Sequence, residues 1–364
     1  MPTPNAQGAT WLHRFDSKAR CAVIGEVAQA HDGSLGLAHA HIDAIADAGG
    51  DAVKFQTHIA AAESTPREPW RIPFSPQDES RFAYWRRLEF SADQWRGLKR
   101  HCDQRGLVIL SSPFSTEAAT LLESLDIAAW KVASGEITNA PLMAQLAASK
   151  RPVILSTGMS PLAEIDAAVA GFQANKTPLA VLQCTSRYPC PLEAVGLNNL
   201  ALFKERYGCA VGLSDHSATP WPGVAAAQLG AQEIEVHVTL SRRMYGPDVS
   251  SSLTVEDFAR LVEGVRAVET LMANPVDKTQ LDAERQALRH TFMKSVVAAR
   301  DLAPGTVLTA ADLALKKPGG GLAATHLQAL MGRRLDRGEV DDHPLAMHYV
   351  AVEVASLAGA KVLS

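Results

Sequence analysis

Residues 21–56 read CAVIGEVAQAHDGSLGLAHAHIDAIADAGGDAVKFQ, and this stretch contains the pattern that decides the fold. Two short apolar runs, at 21–27 and 51–56, predict buried strands because they are rich in valine and isoleucine and are bounded by polar or glycine-containing joints. Between them, Ala38, Ile42 and Ile45 recur at helical spacing. A strand, a helix and a second strand in this order predict a parallel sheet with crossover helices.

The same rhythm continues along the chain and gives eight predicted strands. They lie at 21–27, 51–56, 107–114, 129–135, 152–158, 179–185, 209–215 and 233–240. Eight such units in roughly 220 residues match the size of a closed (β/α)8 barrel, also called a TIM barrel. An open, doubly wound sheet is the competing fold, but no strand–helix joint carries the G-x-G-x-x-G pattern typical of its dinucleotide-binding members.

Beyond the eighth unit the pattern changes. A charged, irregular stretch at 273–291 predicts a linker. It is followed by short β-prone runs, a turn at Pro304 and Gly305, and a helix-capping signal at Thr309 and Asp312, which together predict a small separate domain. The predicted organisation is an N-terminal extension at 1–20, the barrel at 21–272, the linker at 273–291, the small domain at 292–350 and a tail at 351–364.

Composition narrows the class of protein. The 364 residues carry a formal charge of −4, with 47% hydrophobic and 20% charged residues, which is typical of a globular enzyme. The chain has no excess of basic residues, so we do not expect it to bind nucleic acid or an anionic membrane. The first twenty residues lack the apolar segment of a signal peptide, and the five cysteines contain no C-x-x-C pair. We therefore expect a soluble cytoplasmic protein.

In a barrel, the active site lies at the carboxyl ends of the strands, so the polar residues there are the candidates for function. Lys54 and Lys131 are the strongest, because burying an ammonium group in an apolar strand is costly without an anionic partner. With nearby serines they predict a pocket for a phosphate or carboxylate. His216 and His237, on adjacent strands, are able to share a divalent metal with oxygen ligands such as Glu26. The spacing alone does not establish a metal, because a single histidine at a strand end is more often a hydrogen-bonded structural residue than a ligand.

Nine motifs, in order, now resemble those of the sialic acid synthase family. They are GEVAQAHDGS at 25–34, DAVKFQTH at 51–58, SSPFS at 111–115, WKVASGEITN at 130–139, ILSTGM at 154–159, LQCTSRYP at 182–189, GLSDHS at 212–217, EVHVTL at 235–240 and MYGPD at 244–248. The similarity spans about residues 20–350. Within it, KKPGGG at 316–321 and LMGRRLDRG at 330–338 resemble the antifreeze-like (SAF) domain that ends these synthases.

The resemblance implies a condensation of phosphoenolpyruvate with an N-acetylated mannosamine-type sugar, which gives a nine-carbon 2-keto-3-deoxy sugar acid and phosphate. It implies a divalent metal, Mn²⁺ or Mg²⁺, bound by His216 and His237, with Glu26 as a further catalytic residue. The positions that match phosphoenolpyruvate-binding residues are Lys54, Gln56, Ser112, Lys131, Ser134, Ser156 and Ser214. Those that match sugar-facing residues are Glu136, Tyr188 and Asp248. The family also implies a domain-swapped homodimer in which Lys317 of one subunit reaches the sugar site of the other.

The sequence departs from the family pattern in the first loop, where Ala30 and Asp32 replace two asparagines, and at Lys317, which replaces an arginine. The insertion at 60–82 and the pair Ser186 and Arg187 resemble the branch for spore-coat and other surface polysaccharides, so legionaminic-type diacetamido sugars are alternative substrates. Two other functions stay open. One is an aldolase that uses pyruvate through a Schiff base on Lys131, and the other is a non-catalytic carbohydrate-binding protein.

Overall fold

The computed structural model describes residues 11, 13–16 and 20–336. Eight parallel strands pair in sequence order, and β1 also pairs with β8, which closes the sheet into a barrel. The strands are β1 (Ala22–Ala28), β2 (Ala52–Thr57), β3 (Val108–Pro113), β4 (Trp130–Val132), β5 (Val153–Ser156), β6 (Leu179–Cys184), β7 (Ala210–Asp215) and β8 (Glu233–Thr239). The predicted (β/α)8 barrel is confirmed, and the open sheet is excluded.

Helices connect the strands around the outside of the barrel. They are α1 (Leu35–Asp47), α2 (Ala60–Glu63), α3 (Arg81–Leu88), α4 (Ala92–Arg105), α5 (Thr116–Glu123), α6 (Ala140–Ala148), α7 (Leu162–Ala174), α8 (Asn199–Tyr207), α9 (Trp221–Gln228) and α10 (Val255–Ala273). A short strand, β9 (Leu253–Thr254), pairs with the end of β8. Strand β4 is shorter than the predicted 129–135, because the chain turns into a 3-10 helix at Ser134–Glu136.

Local signals fix where the helices begin. Ser91 and Gln94 form a capping box at the start of α4, in which each side chain accepts a hydrogen bond from the other residue's backbone N–H. The helix ends at Gly106, whose left-handed φ of 71° is unstrained only in glycine. The buried faces of these helices pack on the outward-facing apolar residues of the strands and form the main core.

The lower end of the barrel interior is apolar. Inward-facing residues such as Ala22, Ile24 and Leu110 form a separate cluster there, and the indole of Trp11 is buried among them. Because successive residues of a strand face opposite sides, the inward positions further along each strand continue this interior towards the carboxyl ends. Apolar side chains therefore fill the lower end of the barrel. The polar inward-facing residues lie nearer the carboxyl ends of the strands, with one exception.

That exception is Glu233, which is fully buried beside Trp11. Its Oε1 accepts a hydrogen bond from the Trp11 indole at 3.1 Å, and within the described residues its Oε2 has no partner. Burial, with a further contribution from the charge of Glu235, raises the pKa of Glu233 to about 8. Between the ordinary carboxyl pKa and pH 8 the folded state thus binds a proton that the unfolded state has lost.

This difference predicts that the free energy of unfolding falls as the pH rises through that window. We expect Glu233→Gln to remove the effect, so that the variant gains about 2–4 kcal/mol over the wild type at pH 8.5 but little at pH 5. Urea unfolding at the two pH values measures the gain. Glu205→Gln, at an exposed position on α8, is the matched control and should change neither value. An equal gain at both pH values would show that folding does not raise the pKa of Glu233.

The chain divides into two compact units after Pro275. The second unit contains α11 (Ala283–Phe292), β10 (Ser295–Ala298), β11 (Leu313–Lys316) and α12 (Leu327–Leu330), and β10 and β11 pair antiparallel. Helix α11 lies in the stretch predicted as an irregular linker, and the side chain of Asp282 caps its first turn. Thr309 and Asp312 form the predicted capping box. The predicted tail at 351–364 lies outside the described residues.

Across the part of the chain that the structure describes, no helix has both the length and the apolar character that crossing a bilayer requires.

Candidate active site

The carboxyl ends of the strands surround a cavity of about 590 Å³, which is within the usual range for small-molecule sites. Strand register determines which side chains meet in it. Glu26 on β1 pairs with His237 on β8 and with Lys54 on β2, so these three inward-facing residues lie side by side. Ser214 on β7 pairs in the same way with Glu235 on β8.

The two lysines are buried and paired with carboxylates. Lys54 Nζ lies 2.5 Å from Glu26 Oε1 and 3.6 Å from Glu235 Oε1, and Lys131 Nζ lies 3.0 Å from the same oxygen of Glu235. Burial alone would lower the pKa of Lys54, but Glu235 and Glu26 more than offset it and raise the pKa above its usual value. Lys54 is therefore a stable cation at the base of the cavity.

Three of the predicted serines converge on these lysines. Lys131 donates a hydrogen bond to Ser156 Oγ at 2.6 Å, Lys54 donates to Ser112 Oγ at 3.4 Å, and Ser214 Oγ donates to Glu235 Oε1 at 3.1 Å. An ammonium group has three N–H donors, so Lys131, with two of them used, retains one for a ligand. The lysines and serines thus form the predicted group of cations and hydroxyls.

Ser134 lies beside this group, and the backbone at Gly158 approaches its hydroxyl group closely. Its Oγ accepts a hydrogen bond from the Gly158 N–H at 2.9 Å and lies 3.7 Å from Cys184 Sγ. A Cβ at position 158 would come within 2.9 Å of Ser134 Oγ and 2.8 Å of Cys184 Sγ, which explains the glycine. The predicted position of Ser134 at the cavity wall therefore requires the motif glycine opposite it.

Glu26 is held as an anion. Burial would raise the pKa of its carboxyl group, but the neighbouring charges of His237 and Lys54 outweigh burial and hold the pKa well below its usual range. Gln56 Nε2 donates to Glu26 Oε1 at 2.8 Å, while Gln56 Oε1 accepts from Gln29 Nε2 at 2.6 Å. Because a carboxylate only accepts hydrogen bonds, this network fixes the orientation of the Gln56 amide.

The two predicted metal ligands are neighbours, with ring centroids 5.3 Å apart. His216 Nδ1 donates to the carbonyl oxygen of Thr185 at 3.0 Å, so Nε2 is the ring nitrogen that remains for a ligand. His237 Nε2 lies 3.3 Å from Glu26 Oε2, so an imidazole nitrogen and a carboxylate oxygen lie close enough to contact one cation.

The donor set fits a divalent cation with an incomplete protein shell. Within the described residues, no three His, Cys, Asp or Glu side chains are arranged to hold a metal by themselves. The two imidazoles and Glu26 would be the ligands that the chain supplies to such a cation, with water or substrate oxygens as its other ligands.

The predicted sugar-facing residues line the outer part of the cavity. The Tyr188 ring packs on His216 with centroids 4.1 Å apart, and Glu136 is half-buried in the wall, where burial raises the pKa of its carboxyl group. Asp248 lies at the rim and pairs with Arg71 at 2.5 Å. Lys317 belongs to the second unit, where its ammonium lies over the Phe292 ring, so its predicted role rests on the family resemblance.

The departure in the first loop has a structural explanation. Asp32 adopts a left-handed φ of 47°, and its carboxylate pairs with Arg87 at 2.8 Å. Neither Ala30 nor Asp32 is among the residues that line the cavity. The additional carboxylate thus holds the loop to α3 through Arg87.

Several residues in the cavity were given no role from the sequence. Glu235 joins the two lysines, and its place is visible only from the register of β8. His58 stacks between Trp85 and Phe114, with centroids 4.1 and 4.5 Å away, and its Nε2 lies 3.2 Å from Gln56 Oε1. Arg71 and Tyr84 come from the segment between β2 and α4, which has no periodic pattern that would place them in a site.

The environment of Lys131 does not favour the aldolase function. A Schiff-base lysine needs an apolar surrounding or another cation to be a neutral nucleophile, whereas Lys131 is paired with Glu235 and bonded to Ser156. These contacts favour a Lys131 ammonium group that binds an anionic ligand.

Comparison with known proteins agrees with this site. The NeuB family profile matches residues 41–277, and the SAF domain profile matches residues 294–337. The N,N'-diacetyllegionaminic acid synthase of Campylobacter jejuni is 31% identical over 88% of this chain and 97% of that protein. The human N-acetylneuraminate-9-phosphate synthase is 32% identical over 81% of this chain and 83% of that protein.

A solved structure extends the similarity to the fold. The N-acetylneuraminic acid synthetase of Leptospira borgpetersenii superposes with a TM-score of 0.65 at 27% identity, covering 74% of this chain and 90% of that one. The family profile covers more than half of the chain, and the relatives match most of its length. The chain therefore belongs to the NeuB family, whose members among its relatives are sialic, legionaminic and pseudaminic acid synthases.

Proposed function

We propose that the protein condenses phosphoenolpyruvate with an N-acetylated, mannosamine-type sugar to give a nonulosonic acid and phosphate. The observation that carries the proposal is the meeting of two buried lysines, two histidines and Glu26 around one cavity that is also lined by Ser134, Ser156 and Ser214. Such a site offers cations and hydroxyls for a phosphorylated carboxylate, next to groups that act on a carbonyl and on water.

Phosphoenolpyruvate binds at the inner end in this proposal. Lys54 and Lys131 provide charge for its phosphate and carboxylate, and Ser156 and Ser214 add hydrogen bonds. The sugar, in its open-chain form, lies outward, with its aldehyde next to Glu26 and the histidines and its hydroxyl groups along Tyr188. Holding both reactants in one cavity replaces a bimolecular encounter by a reaction within a single complex.

The bond changes follow from this placement. Carbon 3 of phosphoenolpyruvate attacks the aldehyde carbon and forms the new C–C bond as the C=O π bond breaks. The aldehyde oxygen becomes an alkoxide, while positive charge develops at carbon 2. Water adds at carbon 2, and Glu26, an anion in this site, accepts its proton. Glu26 passes this proton to the alkoxide, which becomes a hydroxyl group. The tetrahedral intermediate then releases phosphate by cleavage of its C–O bond, its hydroxyl proton leaves with the phosphate, and the 2-keto acid remains.

His216 and His237 are proposed to hold Mn²⁺ or Mg²⁺. When bound there, the cation supplies Lewis-acid polarisation of the aldehyde oxygen. The contribution of the chain is to present the two ring nitrogens and to keep Glu26 ionised beside them.

The direct test measures phosphate release from phosphoenolpyruvate with a panel of N-acetylated hexosamines. We expect turnover with Mn²⁺ or Mg²⁺ and none with excess chelator, and mass spectrometry should identify a nine-carbon keto acid. With labelled bridging oxygen, the label should appear in phosphate. Label in the keto acid would contradict the mechanism, and turnover that survives chelation would remove the metal from the proposal.

His216→Ala should abolish the metal-dependent turnover, a fall of at least about 10³-fold, because only one imidazole would remain. Loss of Mn²⁺ binding, followed by electron paramagnetic resonance, should accompany the loss of rate. His39→Ala is the matched control, since His39 contacts His101 outside the cavity, and it should leave both measurements unchanged. Full Mn²⁺ binding in His216→Ala would show that the ion is held elsewhere.

The proposal includes a homodimer in which a second copy supplies Lys317 to the sugar site. Light scattering of the purified chain tests the stoichiometry. If a second copy supplies Lys317, mixing Lys317→Ala with His216→Ala should regain activity that neither variant has alone, because the mixed dimer combines an intact barrel with an intact Lys317. No regain in a mixture that forms mixed dimers would contradict the exchange.

A further inference from the structure

A histidine in the cavity wall is held in place on every side. His58 follows the last residue of β2, and its side chain is only 5% exposed. Its ring is stacked between Trp85 and Phe114, with interplanar angles of 19° and 16°. The two aromatic rings set the plane of the imidazole, so the hydrogen bonds of its two nitrogens decide how the ring is turned within that plane.

Glu63 is the partner of one of these nitrogens. It is the last residue of the single-turn helix α2, and its Oε1 lies 2.6 Å from His58 Nδ1. Its Oε2 accepts a hydrogen bond from the Ile59 N–H at 3.3 Å, which fixes the carboxylate against the turn. The Glu63 side chain is also buried, so this carboxylate–imidazole pair is shielded from water.

The other nitrogen of His58 faces Gln56. The Gln56 amide has a fixed orientation, because its Nε2 donates to the carboxylate of Glu26. Its Oε1 therefore accepts, from Gln29 Nε2 at 2.6 Å and from His58 Nε2 at 3.2 Å. Both nitrogens of the imidazole thus lie opposite oxygen atoms. The network is complete only when Nε2 carries a hydrogen while Nδ1 shares one with Glu63.

This chain of hydrogen bonds ends at the reacting carboxylate. Glu26 Oε1 accepts from both Lys54 and Gln56, whereas Oε2 is the oxygen that lies 3.3 Å from His237 Nε2. Gln56 therefore helps to turn one particular oxygen of Glu26 towards the histidines. Without donation from His58, the amide would be free to turn over and present its oxygen to Glu26, which would place two acceptors against each other.

We propose that His58 is a positioning residue for the reaction. It donates from Nε2 to Gln56 and thereby keeps Glu26 oriented, while Glu63 holds the imidazole in place. His58 acts through Gln56 and needs no contact with either substrate. The inference rests on the proposed function, in which Glu26 accepts the proton of the attacking water.

Two substitutions separate donation from stacking. His58→Gln keeps an N–H donor near the position of Nε2 but loses the aromatic ring, whereas His58→Phe keeps a ring between Trp85 and Phe114 but loses both nitrogens. We expect His58→Phe to lower kcat for phosphate release by about 10- to 100-fold, with less than about 3-fold change in KM for either substrate. His58→Gln should keep kcat within about 5-fold of the wild type. An equal or larger loss in His58→Gln, or a rise in KM in place of the fall in kcat, would overturn the inference.

A double-mutant cycle tests whether His58 acts through Gln56. Adding His58→Phe to Gln56→Leu should lower kcat by less than about 3-fold beyond Gln56→Leu alone, because no amide remains to be oriented. Losses that multiply would show that His58 acts independently and would contradict the proposal. His101→Phe is the matched control, since His101 also pairs with a carboxylate, that of Asp43 at 2.9 Å, but lies outside the cavity. It should have wild-type kinetics.

Urea unfolding of the four proteins in this cycle tests the contact without any substrate. The double variant should lose less free energy of unfolding than the two single variants together, because both single changes break the same hydrogen bond. Additive losses would remove the contact and the inference with it. If the losses are coupled but no sugar supports phosphate release, the hydrogen-bond chain is confirmed, and it is the proposed function that fails, together with the role of His58 in that reaction.

Discussion

Phosphate release is expected to fall by about 10²- to 10⁴-fold when Glu26 is replaced by glutamine, while KM for phosphoenolpyruvate should change little. Glutamine has nearly the same shape but accepts no proton from the attacking water and carries no charge beside His237. Lys54 keeps Glu235 as a partner, so the anion-binding end of the cavity persists. The expected signature is therefore a loss in kcat with binding of the first substrate retained, as measured by steady-state kinetics.

The pH dependence of the rate provides a second test of the role of Glu26. Because the pKa of Glu26 lies well below its usual range, the group stays ionised to low pH, and the rate should not decline through its titration between pH 5 and 8. Glu123→Gln, at an exposed position on α5, is the matched control and should have wild-type kinetics. A Glu26→Gln variant that keeps more than about a tenth of the wild-type kcat would exclude Glu26 as the proton acceptor.

Glu235→Gln is expected to lower the free energy of unfolding of the barrel by about 3–5 kcal/mol at pH 7. Glu235 is the carboxylate partner of Lys131 and one of two partners of Lys54, and all three side chains are nearly inaccessible to solvent. Removing its charge leaves a buried ammonium without an anion, and the desolvation cost of that ammonium is then uncompensated. Urea unfolding followed by tryptophan fluorescence measures the loss.

Two comparisons identify the cause. Ser214→Ala removes a hydrogen bond to the same Glu235 oxygen without removing charge, and it should cost only about 1 kcal/mol. Phosphoenolpyruvate should stabilise Glu235→Gln more than the wild type, because its anionic groups would replace the missing carboxylate. A loss no larger than that of Ser214→Ala would show that Lys131 does not depend on Glu235 for its charge.

The barrel was predictable because its signal is local and repeated. Each strand is a short apolar run, each crossover helix has its own periodicity, and caps such as Ser91 mark the boundaries. The observed secondary structure differs from the predicted one at two places. The end of β4 turns into a 3-10 helix that sets Ser134 and Glu136 at the cavity, and the predicted linker contains α11 because Asp282 caps a helical turn.

The inner site was also accessible to sequence reasoning. A lysine within an apolar strand must have an anionic partner, which singled out Lys54 and Lys131 before their partners were known. The partners themselves were not assigned, because Glu235 looks like any other polar residue of a strand until the register of β8 brings it to within 3.0 Å of Lys131.

The sequence by itself determined the barrel, the small second domain, the family resemblance and the chemical types of the residues at the strand ends. Only the tertiary structure decided which carboxylate neutralises which lysine, and that Arg71 and Tyr84, from a segment without periodic pattern, line the outer cavity. The physical reason is the sequence separation over which each kind of interaction acts. Periodicity and capping act between residues a few positions apart, whereas the pairing of Arg71 with Asp248 joins residues 177 positions apart that meet only after the barrel has closed.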